Sequence, residues 1–382
     1  MRTIGRISIA ALIIWMIVSF LSCLKEEKVY MKLGKKPFGK TADGKEVLLY
    51  SLQNKNGMEV RIMTYGGSVI FLRIPDRTGQ FADVVLGYDN LDGYLKNNPY
   101  FGGIIGRFGN RIAKGQFNLN GKPYQLTVNS GENHLHGGTF GFDKVVWNSE
   151  EIESDTTIGV RLKYSSPEGE EGYPGNLDVT VIYTLNNTNE LKIEYNATTD
   201  KPTVINLTHH SYFNLAGAGE GDILGQEVMI NADQFTPVDD KLIPTGELKD
   251  VAGTPMDFRK PTAIGARIND PYDQLTLAGG YDHNWVLNKS THGLTLAASA
   301  YDPASGRELE IYTTELGLQF YSGNFLDGSI TGKQDKVYKY RYGFCLEPQH
   351  FPDSPNKSNF PPVDLKPGEK YYQKTVYKFL TR

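Results

Sequence analysis

The 382 residues carry 40 Lys and Arg against 44 Asp and Glu, a formal charge of −4, which leaves no basic excess of the kind that nucleic-acid phosphates require. With 41 Gly and 19 Pro the chain is turn-rich but short of low-complexity disorder. Its 3 Trp, 23 Tyr and 18 Phe favour strands and supply flat faces for a core or a ligand.

The first element is a targeting pattern. Arg2 and Arg6 precede an almost unbroken apolar run from Ile7 to Leu21, too short for a comfortable membrane span and built like the centre of a secretory signal peptide. Leu21-Ser22-Cys23 resembles a bacterial lipobox, which implies a lipoprotein-type signal peptide over 1–22, acylation of Cys23, and a short tether over 23–33. Several acyl chains would anchor the chain stably, since each buried CH₂ contributes roughly 0.8 kcal/mol. The expectation is therefore an exported bacterial lipoprotein held at the membrane, facing either the periplasm or the outer-membrane surface. Lys25-Glu26-Glu27 is similar to the charged tag that directs some lipoproteins outward. The alternative is an ordinary signal peptide in which Cys23 is incidental. Acylation of Cys23 would leave only Cys345, so stability must come from a core, which a chain of this size can bury.

From residue 34 to the end there is no linker, no repeat and no sustained helical period, and a single domain is expected. Val60, Ile62 and Thr64 alternate with Arg61 and Met63, then Gly66-Gly67 breaks the run before 69–74. Phe117 and Leu119 lead through Asn120-Gly121 to Tyr124 and Leu126, a strong hairpin signal. Val179, Val181, Tyr183 and Leu185 alternate with polar neighbours, turn at 186–189 and resume at Leu191, Ile193 and Tyr195. A further hairpin runs from 294–301 through 302–306 to 309–313. The pattern predicts an all-β fold, a large antiparallel β-sandwich with short helices at most.

Histidine is scarce at 7 residues, so its placement is informative. His134 and His136 sit in Asn-His-Leu-His-Gly-Gly, His209 and His210 in Thr-His-His-Ser-Tyr-Phe, His283 in Asp-His-Asn-Trp, and His350 follows Glu347-Pro348-Gln349. Such polar density is more than a sandwich core needs, because buried polar atoms cost free energy unless paired. In an extended segment only one of His209 and His210 can face a given site. Three readings fit. His134 and His136, two apart on one strand face, could hold a metal with a carboxylate, although no His-Glu-x-x-His run or Cys pair supports this. The histidines could be satisfied loop partners. Or one carboxylate and one histidine could perform acid/base catalysis without metal or cofactor.

At this point the motifs carry a family resemblance. Gly106-Arg107-Phe108-Gly109-Asn110-Arg111-Ile112, His136-Gly137-Gly138, His210-Ser211-Tyr212-Phe213-Asn214-Leu215, Asp282-His283-Asn284, Thr313-Thr314-Glu315, Gln319-Phe320-Tyr321, Gly323-Asn324-Phe325 and Gly343-Phe344-Cys345-Leu346-Glu347 occur in this order and together resemble aldose 1-epimerase. The resemblance runs from about residue 34 to the end. It implies the galactose mutarotase-like β supersandwich and a cofactor-free enzyme that interconverts the anomers of sugars such as glucose and galactose. It further implies Glu347 as catalytic base, His210 as catalytic acid, His136 as the second histidine, and Asn110, Arg111, Asp282 and Gln319 as substrate-binding residues. His209 departs from the family, which commonly has Asn there. Alternation turns His209 away from the centre.

Mutarotation needs a proton taken from the anomeric hydroxyl and another given to the ring oxygen, which a carboxylate and an imidazolium supply. The partner expected is a free monosaccharide. Other classes fit less well. A glycoside hydrolase needs two carboxylates about 5 to 9.5 Å apart, which Asp282 keeps open, and a sugar-phosphate epimerase needs a basic cluster beyond Arg107 and Arg111. A non-catalytic surface sugar-binding lipoprotein is the remaining alternative. Arg107 and Arg111 could instead brace loops. Phe213 and Phe320 read as core, and the proline-rich run 350–357 reads as a rigid surface loop.

Overall fold

Alternation puts every second side chain on one face of a strand, so a run such as Val179, Val181, Tyr183 and Leu185 must find an apolar surface to cover it. The computed structural model describes residues 30–96, 98–289 and 291–382, and the expected signal peptide and Cys23 lie outside them. The run forms part of strand Leu177–Asn186, third in a nine-stranded sheet. That sheet is ordered Asn148–Glu153, Thr157–Ser166, Leu177–Asn186, Glu190–Thr199, Tyr371–Thr381, Arg307–Thr313, Thr295–Tyr301, Glu227–Ile230 and Thr262–Ala263. A five-stranded meander, Lys32–Lys40, Glu46–Gln53, Glu59–Met63, Val69–Pro75 and Phe81–Asp83, and a second five-stranded sheet share its core. The second sheet is ordered Lys249–Asp250, Ala232–Thr236, Asp282–Leu287, Gly317–Tyr321 and Cys345–Gln349.

Pairing within all three sheets is antiparallel. One contiguous core joins Val60 and Leu72 of the meander to Val181, Ile193 and Ile311 of the large sheet and to Trp285, Phe320 and Leu346 of the second. This is the all-β antiparallel sandwich that alternation predicts. The α-helices described, Leu91–Leu95 and Asp273–Ala278, are short.

The hairpins form in the expected places. Asn120 and Gly121, at φ 53° and 78°, make the two-residue turn between Gln116–Leu119 and Lys122–Gln125, where positive φ at both positions matches the twist of the strands. Tyr183 lies opposite Ile193 and Val181 opposite Tyr195, all buried. Burial of each such side chain contributes roughly 1.5–3 kcal/mol, and cross-strand contact adds about 0.2–1 kcal/mol. Strand Tyr371–Thr381 lies between Glu190–Thr199 and Arg307–Thr313 and so joins the two halves of the large sheet.

One expectation is corrected. The segment 350–357 reaches the surface only in its second half, where Asn356 is exposed, for Phe351, Asp353 and Ser354 are buried. Asp353 donates its backbone N–H to Arg111 O at 2.8 Å and accepts from Ala113 N at 3.0 Å. Its carboxylate thus satisfies a backbone donor beside Arg111, which lets a proline-rich turn pack inward.

Arg107 does brace loops. Its buried guanidinium donates to the carbonyls of Pro174 and Gly175 at 2.9 Å, and to those of Ser166 and Pro167 at 3.1 and 3.2 Å. Arg107→Met leaves these four acceptors without their donor, so urea denaturation is expected to show a loss of about 1–3 kcal/mol or more. Arg107→Lys, with a point charge in place of the fork, should recover only part of it.

Candidate active site

Strand Cys345–Gln349 pairs with Gly317–Tyr321, which pairs with Asp282–Leu287. The register sets Glu347 beside Gln319 beside Asn284, and Cys345 beside Tyr321 beside Asp282. Residues two apart share a face, so these six side chains line one face of the sheet. The intervening Trp285, Leu318, Phe320 and Leu346 belong to the hydrophobic core on the other. Both faces are buried, and the polar one carries a glutamate with almost no exposure.

The histidines come from two other segments. His210 follows the short strand Thr208–His209, which pairs with Ile104–Ile105. Its N–H donates to Gly103 O at 3.0 Å and its carbonyl accepts from Gly102 N at 2.9 Å, fixing the backbone. The ring presents Nε2 3.7 Å from Glu347 Oε1 and Nδ1 3.5 Å from Cys345 Sγ. His136 follows strand His134–Leu135, paired with Arg111–Ile112, and its φ is 52°. Its N–H donates to Asn110 O at 3.1 Å, and Asn110 N–H donates back to His136 Nδ1 at 3.1 Å. The two imidazoles lie 5.1 Å apart at 84°.

The expected sugar-binding residues form a chain alongside. Asn110 Oδ1 accepts from Arg111 N at 2.9 Å, Arg111 Nη2 lies 3.4 Å from Asp282 Oδ2, and Gln319 Nε2 donates to Asp282 Oδ1 at 2.7 Å. Asn110 joins this chain to His136, and the sheet register joins Gln319 to Glu347. The structure therefore brings all seven together: Asn110, Arg111, His136, His210, Asp282, Gln319 and Glu347. Asp282 is already held by a cation and an amide, which disfavours it as a second acid for hydrolysis. Arg107, spent on carbonyls, offers nothing to a sugar phosphate.

Burial sets the protonation of these groups. It pushes the Glu347 carboxyl well above the usual range, and the charge of Asp282 pushes further, against Arg111. It pushes His210 down to about 4, opposed by a backbone hydrogen bond and by Asp282. His136 is held well below its ordinary value by burial, then by His210, Arg111 and Lys144. A ring whose Nδ1 accepts a backbone N–H keeps its proton on Nε2, so His136 is a neutral donor. Glu347 Oε2 and Gln319 Oε1 are buried and find no partner among the described residues. They suit hydroxyl donors.

The metal arrangement based on His134 and His136 does not form. Both ring nitrogens of His134 are engaged, Nδ1 with Thr127 O at 2.7 Å and Nε2 with Tyr173 Oη at 2.6 Å. His136, His210 and Glu347 do bring ligand atoms within 4.8 Å of one another. A metal-ligating histidine donates its other N–H to an acceptor, whereas His136 Nδ1 faces a donor. Sequence reasoning missed Cys345, which alternation from Glu347 would have placed on the same face. It also missed Tyr100, whose ring lies 4.6 Å from His136 and whose position no motif signals.

Residues 48–378 match the family model described as aldose 1-epimerase. A galactose mutarotase of Bos taurus is 48% identical over 322 residues, covering 84% of this chain and 91% of its own. An aldose 1-epimerase of Escherichia coli (strain K12) is 38% identical over 340 residues, covering 88% and 96%. The crystal structure of a galactose 1-epimerase from Lactobacillus acidophilus NCFM superposes with a TM-score of 0.81 at 29% identity, covering 92% of this chain and 99% of that one. One is a mutarotase and two are epimerases by name, which gives the non-catalytic alternative no support.

His209 faces away from this cluster, as alternation requires. Its ring packs 6.0 Å from Tyr183 and 6.2 Å from Tyr377, neither ring nitrogen finds a hydrogen-bond partner among the described residues, and burial holds it down to about 3. A base depressed on folding contributes fully above its unfolded value of about 6.5 and loses that contribution as pH falls toward about 3. His209→Asn removes this dependence. Between pH 7 and pH 5 the stability difference between wild type and variant in urea should move by about 2 kcal/mol in the variant's favour, with catalysis at pH 7 unchanged.

Proposed function

We propose that this chain, which belongs to the aldose 1-epimerase family, interconverts the α and β anomers of free aldohexoses such as glucose and galactose through Glu347 and His210. The observation that carries this reading is their spacing. Glu347 Oε1 and His210 Nε2 face each other at 3.7 Å, too far for a hydrogen bond, so neither commits its proton to the other and both remain available to a sugar.

Glu347 takes the proton of the anomeric hydroxyl while His210 gives one to the ring oxygen. The C1–O5 bond breaks, C1=O1 forms, and the open-chain aldehyde turns about C1–C2. The same two groups then act in reverse and close the ring on the other carbonyl face. Ring opening converts an ionised carboxylate–imidazolium pair into a neutral one. Burial, which raises Glu347 and lowers His210, favours that neutral pair and so lowers the cost of the ring-opened state. His136 Nε2–H adds a hydrogen bond at the ring oxygen, a fixed donor aimed where charge changes. Asn110, Arg111, Asp282 and Gln319 hold the remaining hydroxyls and keep the reacting atoms aligned.

We infer in addition that the enzyme is exported and lipid-anchored through Cys23. The support is the basic start, the apolar run 7–21 and Leu21-Ser22-Cys23. Cys23→Ser, expressed in a bacterium that processes lipoproteins, should move the protein from the membrane fraction to the soluble fraction; a variant still in the membrane fraction would remove the anchor.

Polarimetry tests the activity. Freshly dissolved α-D-glucose or α-D-galactose should reach the same final rotation faster with the protein. Glu347→Gln should lose about 10²–10⁴-fold in kcat while keeping its fold, and an active variant would remove Glu347 from the mechanism. The working form holds one proton between Glu347 and His210. Lowering the pH adds a second, so kcat/KM should fall toward pH about 4, where burial places His210. Raising the pH removes the shared proton, and because Glu347 is raised this limb should lie above the ordinary carboxylate range.

A further inference from the structure

Tyr100 has no part in the steps above, yet its ring touches both histidines. The centroid lies 4.6 Å from His136 at 63° and 5.7 Å from His210 at 31°. Tyr212 also stacks on His210, at 5.1 Å and 28°, but Tyr100 is the ring that His136 and His210 share. Its backbone is in the left-handed region at φ 66°, an uncommon and costly conformation for an aromatic residue that persists only where the surroundings over-determine it.

Those surroundings tie the turn to His210. Gly103 N donates to Tyr100 O at 3.1 Å, His210 N donates to Gly103 O at 3.0 Å, and Gly102 N donates to His210 O at 2.9 Å. Gly102 is itself at φ 65°, and a Cβ there would meet Val69 O at 2.1 Å, so the turn approaches its neighbouring strand as only glycine allows. On the ring, the Lys144 ammonium sits 5.2 Å from the centroid, within cation–π reach. Asp143, buried, pairs with that ammonium at 3.3 Å. Backbone and side chain are thus fixed by separate contacts.

We propose that Tyr100 is a positioning residue whose ring, held between the Lys144 ammonium and the two imidazoles, fixes the angle between His136 and His210 and keeps water from them during ring opening. This rests on the roles given to His210 and His136 above. A donor displaced by about an ångström can cost on the order of 10²-fold in rate, so a rigid aromatic ring packed against both catalytic rings acts on kcat rather than on sugar affinity.

The test uses the full chain carrying Tyr100→Phe, Tyr100→Leu and Tyr100→Ala, with His210→Ala as reference, followed by polarimetry across pH 4–8. Tyr100→Ala should lower kcat by roughly 10–100-fold with KM changed by less than about threefold. Its acid limb should move up toward 6.5, because water then reaches His210. The other groups about His210 are Glu347, Cys345, His136, Tyr212 and, through its charge, Asp282, and none of them is altered. Tyr100→Phe keeps the ring and should restore rate and profile. If Tyr100→Ala does not fold, Tyr100→Leu, which fills most of the space without an aromatic face, carries the same expectation. A kcat and acid limb like wild type in the Ala or Leu variant would overturn the proposal. So would a raised KM with kcat intact, which would make the ring a sugar contact. An active His210→Ala would overturn the assignment of His210 itself, whereas an inactive one beside a wild-type-like Tyr100→Ala would overturn only the role of Tyr100.

Discussion

A glutamate held out of water on the inner face of a β-sheet is the constraint around which the rest is arranged. A carboxylate in such a place is costly unless it is paired or protonated, and Glu347 has neither a full ion pair nor a partner for Oε2 among the described residues. Burial on both faces of the sheet holds the Glu347 carboxyl toward its neutral form, which relieves that cost. Trp285, Phe320 and Leu346 hold one face in the core, and the other face is left free to carry Asp282, Gln319 and Glu347 in register. The stability given up at this one group is small beside the core formed by three sheets.

The two histidines show how a fold assigns different duties to the same side chain. Asn110 N–H on Nδ1 holds His136 neutral with its proton on Nε2, so it can donate a hydrogen bond but cannot readily accept a second proton. His210 has Cys345 Sγ beside Nδ1 and Glu347 beside Nε2, so its proton is free to exchange with a ligand. Both are pushed down by burial. What separates them is the hydrogen bond on the far nitrogen. The same bond makes His136 a poor metal ligand, although the cluster has the size of a metal site.

Much of this was legible from the amino-acid order. The hairpins at 116–125, 177–199 and 295–313 follow from alternation and turn chemistry, which are local. Glu347, His210, His136, Asn110, Arg111, Asp282 and Gln319 could be named because ordered motifs carry the family resemblance, and the turn of His209 away from the cluster followed from the two-residue period alone. The burial of 351–354 is not legible in the amino-acid order. Proline and aspartate usually mark surface turns, and a backbone N–H from Ala113, more than two hundred residues away, joins Asn356 and Lys357 in satisfying the buried Asp353 carboxylate. Nothing local marks Tyr100, because the two rings it touches come from distant segments.

By itself, then, the sequence determined the period of each strand, the turns that join neighbours, and which residue types are present to move a proton, because these depend on the backbone and its nearest residues. Only the tertiary structure decided the protonation of His136, the 3.7 Å gap between His210 and Glu347, and the burial that shifts both. These depend on groups far apart in the chain meeting in a dry interior, where the energy of a charge is set by what surrounds it and not by its neighbours in sequence.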